Sequence, residues 1–94
     1  MQKIEINGKS YPCRMTMGAL RRFKNETGKE INDIGTDISL VGTLMWACVS
    51  SACKADGVVF DMDIDTFADM VDLDKINEFA RDISGKADEK KTTV

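Results

Sequence analysis

Apolar positions crowd into one stretch of this chain and thin out on both sides of it. Between Asp37 and Lys54 there is no charged residue. Leu40, Val41, Leu44, Met45, Cys48, Val49 and Ala52 recur at helical spacing, and Trp46, Ala47 and Cys53 fill much of the remaining circumference. A helix apolar nearly all round has to be covered on most sides. The pattern predicts a central helix within DISLVGTLMWACVSSACKADG, Asp37 to Gly57, with everything else folded around it. The apolar run is roughly 16 residues, short of the ~20 that span a bilayer, and Gly42, Thr43, Ser50 and Ser51 dilute it, so it reads as a buried core helix.

Before that helix the pattern changes period. Lys3 to Arg14 alternates around Asn7-Gly8, a pair suited to a two-residue type I′ turn because both residues accept positive φ. Such a turn sets Ile6 opposite Lys9 and Ile4 opposite Tyr11, and gives Ile4, Ile6, Tyr11 and Cys13 one face. Pro12 has no N–H to donate, which makes its strand an edge there. Thr16 is placed to cap a helix over Met17 to Thr27, with Met17, Leu20, Phe23 and Thr27 on its apolar face and Gly28 as its left-handed stop. Ile31 and Ile34 suggest a short turn in the connection. Val58 to Phe60 reads as an extended piece that covers the core or adds an edge strand. Asp63 or Asp65 then caps a short helix carrying Phe67, Met70 and Val71. Asp72 caps a last one with Leu73, Ile76, Phe79, Ala80 and Ile83 in period and Gly85 at its end. The expected architecture is mainly α (α+β), an N-terminal β-hairpin packed on a small bundle of about four helices around the central apolar helix. It forms one domain over residues 1–85, with a disordered polar tail over 86–94.

Composition narrows the function more than the fold. The 94 residues carry a formal charge of −3 and no histidine. An acidic chain does not suit nucleic acid, and histidine is the commonest general base and metal ligand. Cys13, Cys48 and Cys53 match no CxxC spacing and read as reduced core thiols of a cytosolic protein. The start MQKIEINGK lacks the apolar core of a signal peptide, so a cytoplasmic protein is expected.

The strongest candidate for ion chemistry is DMDIDTFADMVD. Asp61, Asp63, Asp65 and Asp69 match positions 1, 3, 5 and 9 of a calcium loop. Thr66 stands where glycine is wanted, Asp72 where a bidentate Glu is usual, and Phe67 and Met70 carry a helical period straight through. Helix caps and dipole-favourable acids account for the same residues. Arg21, Arg22 and Lys24 read as a solvated helix face. No nucleophile has a visible base, and neither an enzyme nor a metal or cofactor is expected. Trp46 reads first as core and alternatively as a contact anchor. Met15, Met17, Met45, Met62 and Met70 fit either gap-filling or an adaptable apolar groove. A core this small does not easily cover a helix apolar on nearly all sides, so one exposed apolar face is expected.

The order IEINGKSYPCR, MTMGALRRFKNETGKEI, spacer, LVGTLMWACVSSACKADG, acidic DxxTFAD and a last amphipathic helix resembles the tail assembly chaperones of long-tailed bacteriophages and prophages. The likeness runs from about Lys3 to Ile83 and is carried by the INGK turn and the T-x-GAL-x-RF-x-x-x-TGK helix, which are structural motifs without catalytic residues. The resemblance implies a non-enzymatic, mainly helical protein of the host bacterial cytoplasm. It would bind the tape measure protein, keep its hydrophobic helices soluble and help recruit tail tube protein subunits. It would be absent from the mature virion. Homo-oligomers and a longer frameshifted form also occur in such families. Partner contact is expected at Leu44, Met45 and Trp46 of the central helix, with Phe23 and Phe67 beside them. No nucleic acid or membrane partner is expected. The competing classes are a small calcium-binding module using the four aspartates and a prophage regulatory protein-protein interaction module or DNA-binding regulator using Arg21, Arg22 and Lys24.

Overall fold

The hairpin turns where its sequence demands. In a computed structural model that describes residues 3–82, Asn7 and Gly8 have φ of 53° and 81°, the two positive values a type I′ turn needs. Strand β1 (Lys3–Ile6) pairs antiparallel with β2 (Lys9–Pro12) in the expected register, Ile6 opposite Lys9 and Ile4 opposite Tyr11. Ile4, Ile6, Tyr11 and Cys13 are buried together. A two-stranded hairpin is marginal alone, and this one rests its β2 side on the central helix. Arg14 adds a forked ion pair to Asp56 (2.8 and 3.0 Å) that ties the hairpin's exit to that helix's last turn.

Helix α1 (Met17–Thr27) has the expected bounds. Thr16 Oγ1 accepts from the Ala19 N–H at 3.0 Å, and Gly28 closes the helix at φ 73°. Its buried face differs from the expected one. Ala19 and Phe23 face inward, Leu20 is half-buried, and Met17 is 72% exposed. The cause is Gly18. A Cβ there would stand 2.7 Å from Ser51 Oγ, so the missing side chain lets α1 lie close against the central helix and turns the Gly18–Ala19 side inward. The Thr16 and Ser51 hydroxyls are hydrogen-bonded across this contact.

A 3-10 turn, Ile31–Asp33, pins the connection, with the Asp33 carboxylate accepting from the Glu30 N–H at 3.0 Å. Helix α2 (Ile38–Asp56) is the 19-residue centre. Asp37 Oδ1 accepts from the Ser39 and Leu40 N–H groups, and Gly57 (φ 72°) ends the helix while the Val58 N–H reaches back to the Cys53 carbonyl at 2.8 Å. That 6→1 bond is the Schellman closure, which satisfies carbonyls otherwise left without donors. By length and composition α2 is apolar enough to cross a membrane. In this fold every residue from Leu40 to Cys53 is buried or half-buried among its neighbours.

Val58 to Phe60 covers core and forms no strand. Phe60 sits edge-on between Tyr11 and Phe67, with ring centroids 5.5 and 6.1 Å away. Helix α3 (Ile64–Met70) starts at Asp63, whose Oδ1 accepts from the Thr66 N–H at 2.8 Å. Helix α4 covers 73–82, and the Asp72 carbonyl accepts its first bonds, from Lys75 and Ile76. Ile76 and Phe79 enter the core, whereas Leu73 is 65% exposed. The fold is thus the hairpin with four helices foreseen from the sequence, sharing one apolar cluster. Ile83, the Gly85 stop and the 86–94 tail lie outside the described residues.

Candidate partner-binding groove

The residues expected to touch a partner are mostly the core itself. Phe23, Leu44, Met45 and Phe67 are each 0–1% exposed. They belong to the shared apolar core, so Phe23, Leu44 and Met45 present almost no surface in this fold, whereas Phe67 also lines the groove described below. The physical reason is coverage: α1 against one side of α2, the hairpin and Phe60 toward its C-terminal end, and α3 and α4 elsewhere suffice to enclose a helix apolar all round. Trp46 is half-buried, and its Nε1 donates to the Met62 carbonyl at 3.0 Å, so the indole holds the lead-in to α3 in place. Instead of one exposed apolar face along its length, the central helix is buried or half-buried from Leu40 to Cys53 and opens to a groove only around Ile38, Gly42 and Thr43.

Apolar surface is exposed elsewhere, around a groove of about 540 Å³ at the N-terminal end of α2. It is lined by Ile38, Gly42 and Thr43 of α2, by Ile64, Phe67 and Ala68 of α3, and by Val71, Leu73 and Ile76 at and after the α3–α4 break. Thr27 and Glu26 from the end of α1 complete the rim. Each element explains its contribution. Asp37 caps α2 so that Ile38, its first residue, stands at the surface 41% exposed. Val71 has an extended backbone, which breaks the chain between α3 and α4 and leaves Leu73 at the mouth. Gly42 leaves the floor open, since a Cβ there would meet only Ile76 Cδ1, at 3.6 Å.

The polar groups of the lining are largely satisfied or acidic. Thr27 Oγ1 donates to the Phe23 carbonyl (2.8 Å) and Thr43 Oγ1 to the Ser39 carbonyl (3.1 Å), so both hydroxyls spend their protons on their own helices. Glu26 and Asp65 supply negative charge at the rim. Beside it, the Thr66 N–H holds the Asp63 carboxyl below its ordinary range. The chemistry on offer is contact with apolar side chains inside an acidic border.

The acidic motif does not assemble as a calcium loop: among the described residues, no three carboxylate, thiol or imidazole groups converge as metal ligands. Asp63 is a helix cap and Asp65 lies in the first turn of α3. On α1, Arg22 donates to the Gly18 carbonyl at 3.2 Å and Lys24 pairs with Glu30, while Arg21 is exposed. Burial pushes the Cys53 thiol up, which suits a packing role for it.

Sequence reasoning missed Ile38, Gly42 and Leu73. A signal was present: a lone glycine four residues after the first apolar residue of an otherwise filled helix marks a place where the helix surface is hollow. Compared with family models, curated proteins and solved structures, the chain gives no match.

Proposed function

We propose that this chain is a non-enzymatic tail assembly chaperone of the long-tailed phage type, one that binds and solubilises the tape measure protein and helps recruit tail tube subunits in the host cytoplasm. The observation that carries the reading is the open apolar groove with an acidic border, together with the INGK turn and GAL-x-RF helix of the resemblance. A tape measure protein is a long chain of apolar-striped helices, and such a stripe is what a groove of this kind takes by helix-in-groove docking. Leu73 and Ile38 at the mouth are the anchors. Their exposure in the free chain is a solvation cost that a partner helix relieves. The border of Glu26 and Asp65 favours a stripe flanked by lysine or arginine.

Co-expression with a phage tape measure protein tests this. Soluble tape measure protein is expected with the unmodified chain and loss of it with Leu73→Asp or Ile38→Asp, both surface changes that leave the core intact. Equal solubility with folded variants would remove the groove from the function, and no effect of the unmodified chain would remove the chaperone reading.

A further inference from the structure

The hairpin has one open edge, and its charges are self-complementary. In a two-residue hairpin the residues flanking the turn are hydrogen-bonded to each other, and bonded and non-bonded pairs then alternate. Ile6–Lys9 and Ile4–Tyr11 are therefore the bonded pairs, and Glu5–Ser10 and Lys3–Pro12 the non-bonded ones. The N–H and C=O groups of Lys3 and Glu5 point out along the free side of β1, and those of Ser10 and Pro12 along the free side of β2. Pro12 has no N–H, so the β2 edge is capped. The β1 edge carries both N–H groups, and Lys3 and Glu5 are exposed. Among the described residues, no backbone hydrogen bond outside the hairpin engages either of them.

We propose that β1 is a self-association edge, pairing antiparallel with β1 of a second copy, Lys3 opposite Glu5 of the partner subunit. The register follows from the page. Pairing through the outward groups requires Lys3 and Glu5 to be the bonded residues. Three symmetric registers satisfy that. One sets Lys3 against Lys3 of the partner subunit, one sets Glu5 against Glu5 of the partner subunit, and the third makes two Lys–Glu pairs with Ile4 across from Ile4 of the partner subunit. Like charges directly opposite destabilise a strand pair and opposite charges support it, so the third register is selected. It also keeps Ile4 on the core face of the joint four-stranded sheet. Because the β2 edge is closed by Pro12, the contact is isologous and stops at two copies. Four residues bury far less than a standard interface, so the dimer is weak and forms only at high protein concentration.

Sedimentation equilibrium over a wide concentration range, at low and high salt, tests it. A monomer–dimer equilibrium weakened by salt is expected. Lys3→Glu and Glu5→Lys should each abolish the dimer, an equimolar mixture of the two variants should restore it, and the double charge swap K3E/E5K should dimerise like the unmodified chain. Restoration in the mixture also shows that the variants are folded. A chain that stays monomeric at every concentration, or a dimer untouched by both single substitutions, overturns the proposal.

Discussion

Two glycines that look alike in the sequence do opposite work. Gly18 stands where α1 touches α2, and a methyl there would press on the buried, hydrogen-bonded Ser51 hydroxyl at 2.7 Å. Gly18→Ala is expected to destabilise the protein by about 1 kcal/mol, overpacking outweighing the gain in helix propensity. Gly42 stands over the groove with only an ordinary contact ahead of it. Gly42→Ala is expected to stabilise by roughly 0.5–1 kcal/mol through helix propensity alone, read by urea unfolding. Gly42→Leu should keep the fold and fill the groove. The thiols make a third test at this scale. Cys13, Cys48 and Cys53 are each 0–1% exposed. Native protein should therefore resist a thiol reagent, and all three cysteines should react on unfolding. Rapid labelling of Cys53 in the native state would contradict the packing.

At the scale of elements, side-chain caps at Thr16, Asp37 and Asp63 explain where α1, α2 and α3 begin. Asp37→Ala should cost about 1 kcal/mol by removing the acceptor for the Ser39 and Leu40 N–H groups. Asp63 behaves differently with pH. Its folded carboxyl is held below the ordinary range by the Thr66 N–H. Its contribution to stability is therefore full above the ordinary carboxylate range and disappears as pH falls through the depressed value. Asp56, held down by its hydrogen bond to Arg14, has the same sign. Melting temperature should therefore drop on the acid side, and Asp63→Asn, which keeps an acceptor for the cap, should make that drop shallower. An unchanged acid limb would mean that other carboxylates dominate it.

The hairpin register, the bounds of α1, the central helix and both later helices were legible in the sequence because turn chemistry, caps and period are local signals. Which face each helix buries was less so. Met17 and Leu73 fall on the apolar stripe of their helices, yet both are exposed. The close approach allowed by Gly18 rotates α1, and the break at Val71 aims Leu73 outward. These are tertiary effects without a local signature. The burial of the expected partner contacts has a related reason. Apolarity picked out Leu44, Met45, Phe23 and Phe67, and the most apolar residues are the ones a folded chain encloses first.

For the whole molecule, the central helix is the core, and the proposed function assigns binding to the groove at its N-terminal end. Replacing Leu73 by Asp should weaken partner affinity tenfold to a hundredfold, since loss of a buried leucine contact is about 1.5–3 kcal/mol, while the melting temperature barely moves. Methyl NMR mapping of the folded monomer, titrated with an amphipathic helical peptide bearing a leucine–phenylalanine stripe and lysine flanks, gives the most direct reading. Shifts confined to Ile38, Ile64, Leu73 and Ile76, and lost in Gly42→Leu, are the expected result. Shifts centred on Leu44, Met45 and Val49, showing that the core opens to take the peptide, or no shifts at any peptide concentration, would contradict the groove as the binding surface.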